Sequence, residues 1–135
     1  MSARVRQLEA RDKATWLPLF TSYIAFYKAA LPEDVIELTW QRLMSGAEGY
    51  HLGLVAVDES DAPIGLAHIL LHGSTWSPTW YCYLEDLFVD PSRRGRGTGR
   101  ALIEAVYGEG DARHCTRTYW TTQESNYRAR ALTIR

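Results

Sequence analysis

Residues 93–100, RRGRGTGR, place four arginines and three glycines between an apolar run and an amphipathic pattern. The run before them, TWYCYLEDLFV, is typical of a buried strand, and the apolar residues after them have helical spacing. A helix start exposes unpaired N–H groups and the positive end of the helix dipole, and glycines let the loop amides converge on one anion. The segment therefore predicts a strand–loop–helix unit that binds a pyrophosphate. Charge-assisted bonds are expected from Arg94, Arg96 and Arg100.

Other uses of such a loop fit the segment less well. A Walker loop ends in Gly-Lys-Ser/Thr, whereas Gly99 is followed by Arg100 and Ala101. A dinucleotide-binding loop needs a third glycine where Arg100 stands, and an acidic residue about 20 residues later for which the chain has no good candidate. A solvated surface loop and an RNA-binding RGG segment are the remaining alternatives. RGG segments lie in disordered tails rather than between a strand and a helix, which disfavours RNA.

Composition limits the protein class. The chain has 135 residues, which suits one domain over 1–135, and 46% of them are hydrophobic, enough for a sizeable core. A formal net charge of −1 gives no overall attraction for nucleic acid or an anionic membrane. Cys82 and Cys115 form no CxxC pair, so we expect no disulfide scaffold and no metal site. The first residues lack the apolar core of a signal peptide and no run is long enough to span a membrane, so a cytoplasmic protein is expected.

Apolar periodicity predicts the element order β-α-α-β-β-β-α-β-α, an α/β fold with a mixed central sheet. Asp12 is the expected N-cap of the first helix. The predicted elements are a strand from Ala3 to Leu8, helices from Lys13 to Tyr27 and from Pro32 to Gly46, a hairpin of HLGLVAV and PIGLAHILL, the β-like run TWYCYLEDLFV over 79–89, a third helix closed by Gly108 or Gly110, a strand CTRTYWTT over 115–122, and a last helix opened by Asn126.

The spacing Arg94-x-x-Gly97-x-Gly99, within YLEDLFVDPSRRGRGTGRALIEAV, resembles the GNAT superfamily of acyl-CoA-dependent N-acetyltransferases. The chain is most similar to the small-amine and polyamine acetyltransferases, whose fourth strand also reads Tyr-Leu-Glu-Asp. The resemblance implies a single GNAT-like domain without the usual last two strands, and acetyl-CoA as the cofactor. It implies that the cofactor contacts backbone groups of Leu87, Phe88 and Val89, amides of Arg94, Gly95, Arg96, Gly97, Thr98 and Gly99, and the side chains of Arg100 and Asn126.

Acetyl transfer needs a neutral amine, and an alkylammonium has a pKa near 10.4, so a base must accept its proton. Glu85 and Asp86 are neighbours on the central strand, so strand alternation predicts that their side chains point to opposite faces. The resemblance implies Glu85 as the base or water-orienting carboxylate, with Asp86 as the second choice, attracting the cationic substrate. Solvated or salt-bridged carboxylates are the alternative. A backbone N–H of Val89 or Phe88 is the expected oxyanion donor.

Several other side chains have two interpretations. His68 and His72 are candidate bases, but strand-surface histidines are the more common case. Six aromatic residues could either form an amine pocket through cation–π contact or be ordinary core and surface residues. They are Trp76, Trp80, Tyr81, Tyr83, Phe26 and Tyr27. Cys82 is expected to be a small apolar residue rather than an acyl-accepting nucleophile.

The end of the sequence departs from the family pattern. Thr133 stands where family members carry a tyrosine that acts as the general acid for the departing thiolate. Without two further strands, the strand over Thr116–Thr122 is expected to have an exposed edge, which either lowers the stability of the fold or pairs with another protomer in a homodimer. The resemblance thus predicts acetyl transfer to a small primary amine, polyamine-like, or to a lysine of a peptide or protein. A CoA-binding protein with little or no turnover is the alternative.

Overall fold

The computed structural model describes residues 3–45 and 51–121. A five-stranded sheet has the order β1-β2-β3-β4-β5, antiparallel except for the parallel pair β4 and β5. The predicted mixed α/β sheet is confirmed, and the last predicted helix lies outside the described residues. The elements are β1 (Arg4–Gln7), α1 (Lys13–Phe26), α2 (Glu33–Ser45), β2 (His51–Val57), β3 (Pro63–His72), β4 (Tyr81–Val89), α3 (Thr98–Ala112) and β5 (Arg117–Tyr119), with short 3-10 turns at Ala10–Asp12 and Pro91–Arg93.

Two apolar clusters, one on each face of the sheet, form the core. On one face, Trp16 and Phe20 of α1 and Trp40 of α2 pack with Leu66 of β3 and Phe88 of β4. The buried positions of α1 recur at helical spacing, as its sequence predicts. On the other face, α3 covers β2, β3 and β4 through Leu102 and Val106. Burial of both faces explains why β2 and β3 are almost continuously apolar.

Asp12 directly precedes α1, as predicted, but its side chain does not cap that helix. Both of its oxygens accept bonds from the Arg6 guanidinium at 2.8 and 3.0 Å. Arg6 also donates to Asp61 in the β2–β3 turn at 3.0 Å. These ion pairs join β1, the start of α1 and the hairpin turn.

The helix α3 continues through both glycines that were expected to end it, so that boundary prediction is wrong. Gly110 is buried, and a Cβ built on it would collide with the Thr118 hydroxyl of β5 and lie 3.5 Å from Cys82 Cβ. Its missing side chain therefore permits close helix–strand packing rather than a helix end.

A β-bulge interrupts β4 at Glu85. His68 pairs with Asp86 but Ile69 pairs with Leu84, which leaves Glu85 without a partner residue on β3. Cys82 and Leu84 pack on the α3 face, whereas Phe88 packs on the α1 face. Uninterrupted alternation would place all three side chains on one face. The extra residue therefore changes the face to which the side chains point between Leu84 and Phe88.

Candidate active site

The loop before α3 carries free backbone donors. Gly95 and Gly97 have φ of 84° and 77°, and Gly97 is the N-cap of α3. The first helical bond runs from the Ala101 N–H to the Gly97 carbonyl at 3.0 Å. The three preceding amides therefore have no acceptor one turn earlier in the helix. They belong to Thr98, Gly99 and Arg100.

Three of the loop's four arginines were expected to contact phosphate, Arg94, Arg96 and Arg100, and all three are exposed. Arg94 turns back toward β4, where its Nε donates to the Val89 carbonyl at 3.2 Å. Its guanidinium carbon lies 5.5 Å from the ring centroids of both Phe26 and Phe88, so it stacks between α1 and β4. Of the three arginines expected to bind phosphate, Arg94 is held against β4 by these contacts, whereas Arg96 and Arg100 face solvent.

Among the described residues, β5 pairs with β4 only as far as Tyr83–Tyr119, so the backbone of β4 beyond Tyr83 has an edge without a described partner strand, the open edge. On the other side, the Asp90 amide donates to Ile64 of β3 at 2.8 Å. Antiparallel pairing alternates, so Phe88 also directs its amide and carbonyl to β3.

Leu87 and Val89 direct their backbone groups to the open edge, as the Arg94–Val89 bond shows for one carbonyl. The expected backbone contact from Phe88 stays a prediction, since the strand pairing directs its amide and carbonyl to β3 rather than to the open edge. Its ring lines the adjacent cavity.

A cavity of about 340 Å³ connects the loop, the open edge and the end of α1. This volume is within the usual range for small-ligand sites. The free amides, the glycine cradle and the open strand edge fit the diphosphate and the extended arm expected of acetyl-CoA. The lining residues are Phe26, Tyr27, Leu87, Phe88, Val89, Arg94, Gly95, Gly97, Thr98 and Gly99.

Glu85 and Asp86 lie on the same face, so the prediction of opposite faces is wrong. Asp86 binds His68 on the α1 face, and Glu85 interacts with the Tyr83 hydroxyl on that face. The bulge is the physical reason, because an extra residue cancels one step of alternation. Glu85 is exposed and Asp86 is half-buried.

The pKa of Glu85 is raised, first by partial desolvation and second by the negative charge of Asp86. The pKa of Tyr23 on α1 is also raised, by burial and then by the Asp86 charge. The two carboxylates thus form a strongly negative spot beside the aromatic end of α1, where Tyr23 and Tyr27 pack edge to face at 5.1 Å. Such a spot favours a cation or a transferable proton.

His68 is buried rather than a surface histidine. Its Nδ1 lies 2.7 Å from Asp86 Oδ2, and its Nε2 lies 3.0 Å from Trp16 Nε1. The chain Trp16–His68–Asp86, which links α1, β3 and β4, was missed from the sequence. One signal was present: His68 interrupts the apolar run PIGLAHILL, and a buried polar side chain needs a partner.

The other sequence candidates divide between the cavity and the opposite end of β4. Phe26 and Tyr27 line the cavity. Tyr83 packs on Tyr119 at 4.9 Å, and His72 Nε2 lies 2.6 Å from the Tyr119 hydroxyl. Tyr81 packs on the rings of His72 and Tyr119. Trp80 is partly exposed, and Trp76 is 89% exposed.

Cys82 is fully buried, and burial raises the pKa of its thiol to about 12, which opposes a nucleophilic role. Asn126 and Thr133 lie outside the described residues. Over residues 3–45 and 51–121 no cluster of three or more His, Cys, Asp or Glu could hold a metal ion. Within the same ranges, no helix has the length and apolarity to cross a membrane.

Comparison with known proteins identifies the family. The model of the acetyltransferase (GNAT) family matches residues 16–133. A D-amino-acid N-acetyltransferase of Saccharomyces cerevisiae is 33% identical over 128 residues, covering 95% of this chain and 80% of that protein. An uncharacterized N-acetyltransferase of Bacillus subtilis is 29% identical over 131 residues, covering 95% of this chain and 84% of that protein.

Solved structures share the fold. The crystal structure of a probable acetyltransferase superposes with a TM-score of 0.84 at 20% identity, covering 96% of this chain and 85% of that one. The aminoglycoside acetyltransferase AAC(6')-Iy, in complex with a bisubstrate analogue of CoA, gives a TM-score of 0.80 at 21% identity with the same coverage. The expected enzyme class, an N-acetyltransferase that uses acetyl-CoA, is confirmed by the family match. The chain belongs to the acetyltransferase (GNAT) family.

Proposed function

We propose that this protein transfers the acetyl group of acetyl-CoA to the primary amine of a small, cationic acceptor. The observation that carries the proposal is the position of Glu85 and Asp86. Both lie on one face of β4 at its bulge, immediately before Leu87 and Val89 on the open edge. A carboxylate pair is thereby brought next to the site that fits the cofactor.

The chain's own groups hold the cofactor at two places. The amides that begin α3, with Gly95 and Gly97 at positive φ, receive the diphosphate. The outward backbone groups of Leu87 and Val89 receive the extended arm as an added strand would be received. When bound, acetyl-CoA supplies an activated acetyl thioester. Of the two expected oxyanion donors, the Val89 amide is the one on the open edge.

Glu85 accepts the proton of the acceptor ammonium, directly or through a water molecule. Its raised pKa supports this role, because a base works best when its pKa approaches the operating pH. Asp86 supplies the negative charge that attracts the ammonium and raises the proton affinity of Glu85. Phe26 and Tyr27 form an aromatic wall of the same cavity, which suits a cationic or apolar acceptor body.

Three acceptor classes compete. The Tyr-Leu-Glu-Asp segment favours polyamine-like amines, while the yeast relative is named for D-amino acids. A peptide or protein lysine is the third. All present a primary amine, and we favour a small-molecule amine because the yeast relative is named for D-amino acids, which are small molecules. A cytoplasmic location and homodimer pairing at β5 stay predictions.

The test measures CoA release from acetyl-CoA with polyamines, both enantiomers of several amino acids, aminoglycosides and a lysine peptide. Saturable release with at least one small amine supports the proposal. Glu85→Gln is the variant control, since it keeps the size of the side chain and removes the base. CoA binding in calorimetry without release for any acceptor would instead support a CoA-binding protein that does not turn over.

A further inference from the structure

The imidazole of His68 lies on the α1 face of the sheet and is 3% exposed. It sits between Trp16, which is fully buried, and Asp86, whose side chain keeps 17% of its surface exposed. The two bonds, at 3.0 and 2.7 Å, form an unbroken chain from the helical core to the carboxylate at the bulge. The acetyltransferase chemistry outlined above assigns no role to Trp16 or His68.

The hydrogen-bond partners of His68 determine which of its ring nitrogens carries the proton. An indole N–H only donates, so His68 Nε2 must carry a lone pair to accept from Trp16. The imidazole proton is then on Nδ1, where it donates to Asp86. Protonating Nε2 would set two N–H donors against each other in a site without solvent, which is costly. The chain is therefore satisfied only when His68 is neutral and Asp86 is ionised.

We propose that Trp16 and His68 are positioning residues that hold the Asp86 carboxylate in an orientation directed at the acceptor ammonium. This inference rests on the proposed function, since it assigns the reason for which Asp86 can bind that amine. A neutral imidazole orients the carboxylate through one oxygen without cancelling its charge. The remaining surface of the carboxylate then faces the Tyr23 and Glu85 side of the cleft.

Replacing Trp16 should remove the hydrogen bond that holds the His68 ring in its orientation toward Asp86. The titratable groups facing His68 are Asp86 and Glu85 of β4, and His51 of β2, with Tyr23 of α1 beside Asp86. Without Trp16, no donor requires Nε2 of His68 to be the acceptor, so the ring can adopt the other tautomer and lose the Nδ1–H that donates to Asp86.

The first experiment is ¹⁵N NMR of the histidine rings in the full chain. The expected result at neutral pH is a His68 ring whose single proton is on Nδ1. An Nε2-protonated tautomer, or an imidazolium at neutral pH, would overturn the proposal. Because this readout does not depend on turnover, it remains decisive even if no acceptor is acetylated, an outcome that would refute the proposed function instead.

The second experiment compares Trp16→Phe with Trp40→Phe. Trp40 packs on Trp16 at 5.0 Å in the same cluster, and no described hydrogen bond joins it to His68. Only Trp16→Phe should raise the KM for the amine, by roughly fivefold or more. The two variants should keep similar kcat and CoA affinity. Equal KM values for the two variants would refute the positioning role of Trp16.

A third comparison covers the case in which Trp16→Phe does not fold. His68→Asn retains an N–H donor near the position of Nδ1, whereas His68→Leu retains the volume without a donor. The asparagine variant should keep the KM for the amine within about threefold of the wild type, and the leucine variant should raise it by about tenfold or more. Equal effects of both would mean that His68 acts only in packing.

Discussion

Replacing Gly97 with glutamate should abolish CoA binding while leaving the fold in place. Gly97 is the N-cap of α3, has a φ of 77°, and lies in the wall of the cavity. A Cβ built there meets no protein atom within 4 Å. The new side chain would therefore enter the open space above the amides that begin α3, where the diphosphate is expected.

The stability cost should be modest because only backbone strain contributes. A left-handed conformation costs an L-residue about 1–2 kcal/mol, and no steric overlap adds to it at Gly97. For a domain of this size, that corresponds to a decrease of about 3–8 °C in Tm. Gly97→Ala carries the same strain without the charge, so the two variants should unfold within a few degrees of each other.

The binding cost should be much larger than the stability cost. A carboxylate about 4 Å from a phosphate charge near a protein surface adds roughly 4 kcal/mol of repulsion. Since about 1.4 kcal/mol changes an affinity tenfold, this repulsion alone weakens binding by nearly a thousandfold. Displacement of the diphosphate from its amides would add to that loss.

Isothermal titration with CoA is the assay, and Gly108→Glu is the matched control. Gly108 lies on the exposed side of the same helix, with nothing within 4 Å of its Cβ position. It is about 16 Å along the axis from Gly97, at 1.5 Å per residue, beyond the Debye length at physiological salt. The control should bind CoA like the wild type. A folded Gly97→Glu variant that binds CoA with wild-type affinity would refute the assignment of this loop.

Three further changes test other parts of the structure. Glu85→Gln should lower kcat by about a hundredfold or more with CoA affinity unchanged, and equal turnover would exclude Glu85 as the base. The raised pKa of Glu85 means that ionisation opposes folding as pH rises through it, so the same variant should gain Tm relative to wild type at pH 7 but not at pH 4. The pKa of Asp61 is lowered by its arginine partners, so Asp61→Asn should lose Tm at neutral pH, and the loss should vanish as pH falls well below 4. Gly110→Ala should destabilise the fold by about 1–3 kcal/mol through overlap with Thr118, whereas Gly108→Ala should be neutral or stabilising. A Gly110→Ala variant with a Tm equal to or above that of Gly108→Ala would contradict the packing argument.

Local pattern was sufficient for most elements of the fold. The predicted β-like run over 79–89 and the predicted helix from Lys13 to Tyr27 match β4 and α1 to within two residues at each end, because both segments are rich in apolar residues. The end of α3 was not predictable in this way. A glycine usually signals a helix end, but Gly110 is required by the approach of Thr118, a residue of another element. Tertiary contact thus overrode a local rule.

The geometry of the site depended on pairing that no single segment encodes. Alternation predicted opposite faces for Glu85 and Asp86, and the bulge against β3 placed them together. The same pairing decided which backbone groups of β4 are free, and therefore favoured Leu87 and Val89 over Phe88. The residue types indicated acetyl transfer, whereas the register between β3 and β4 determined which side chains and backbone groups face the site.

Two irregularities of β4 occur at nearly the same point, and their coincidence supports the proposed chemistry. Pairing with β5 ends at Tyr83, and the bulge follows at Glu85. The first irregularity opens the strand edge to an extended cofactor, and the second directs two carboxylates to the face beside that edge. An amine bound on the face and a thioester held at the edge would then meet within a few residues of Glu85. A strand regular at either point would lack the open edge or one of the two carboxylates.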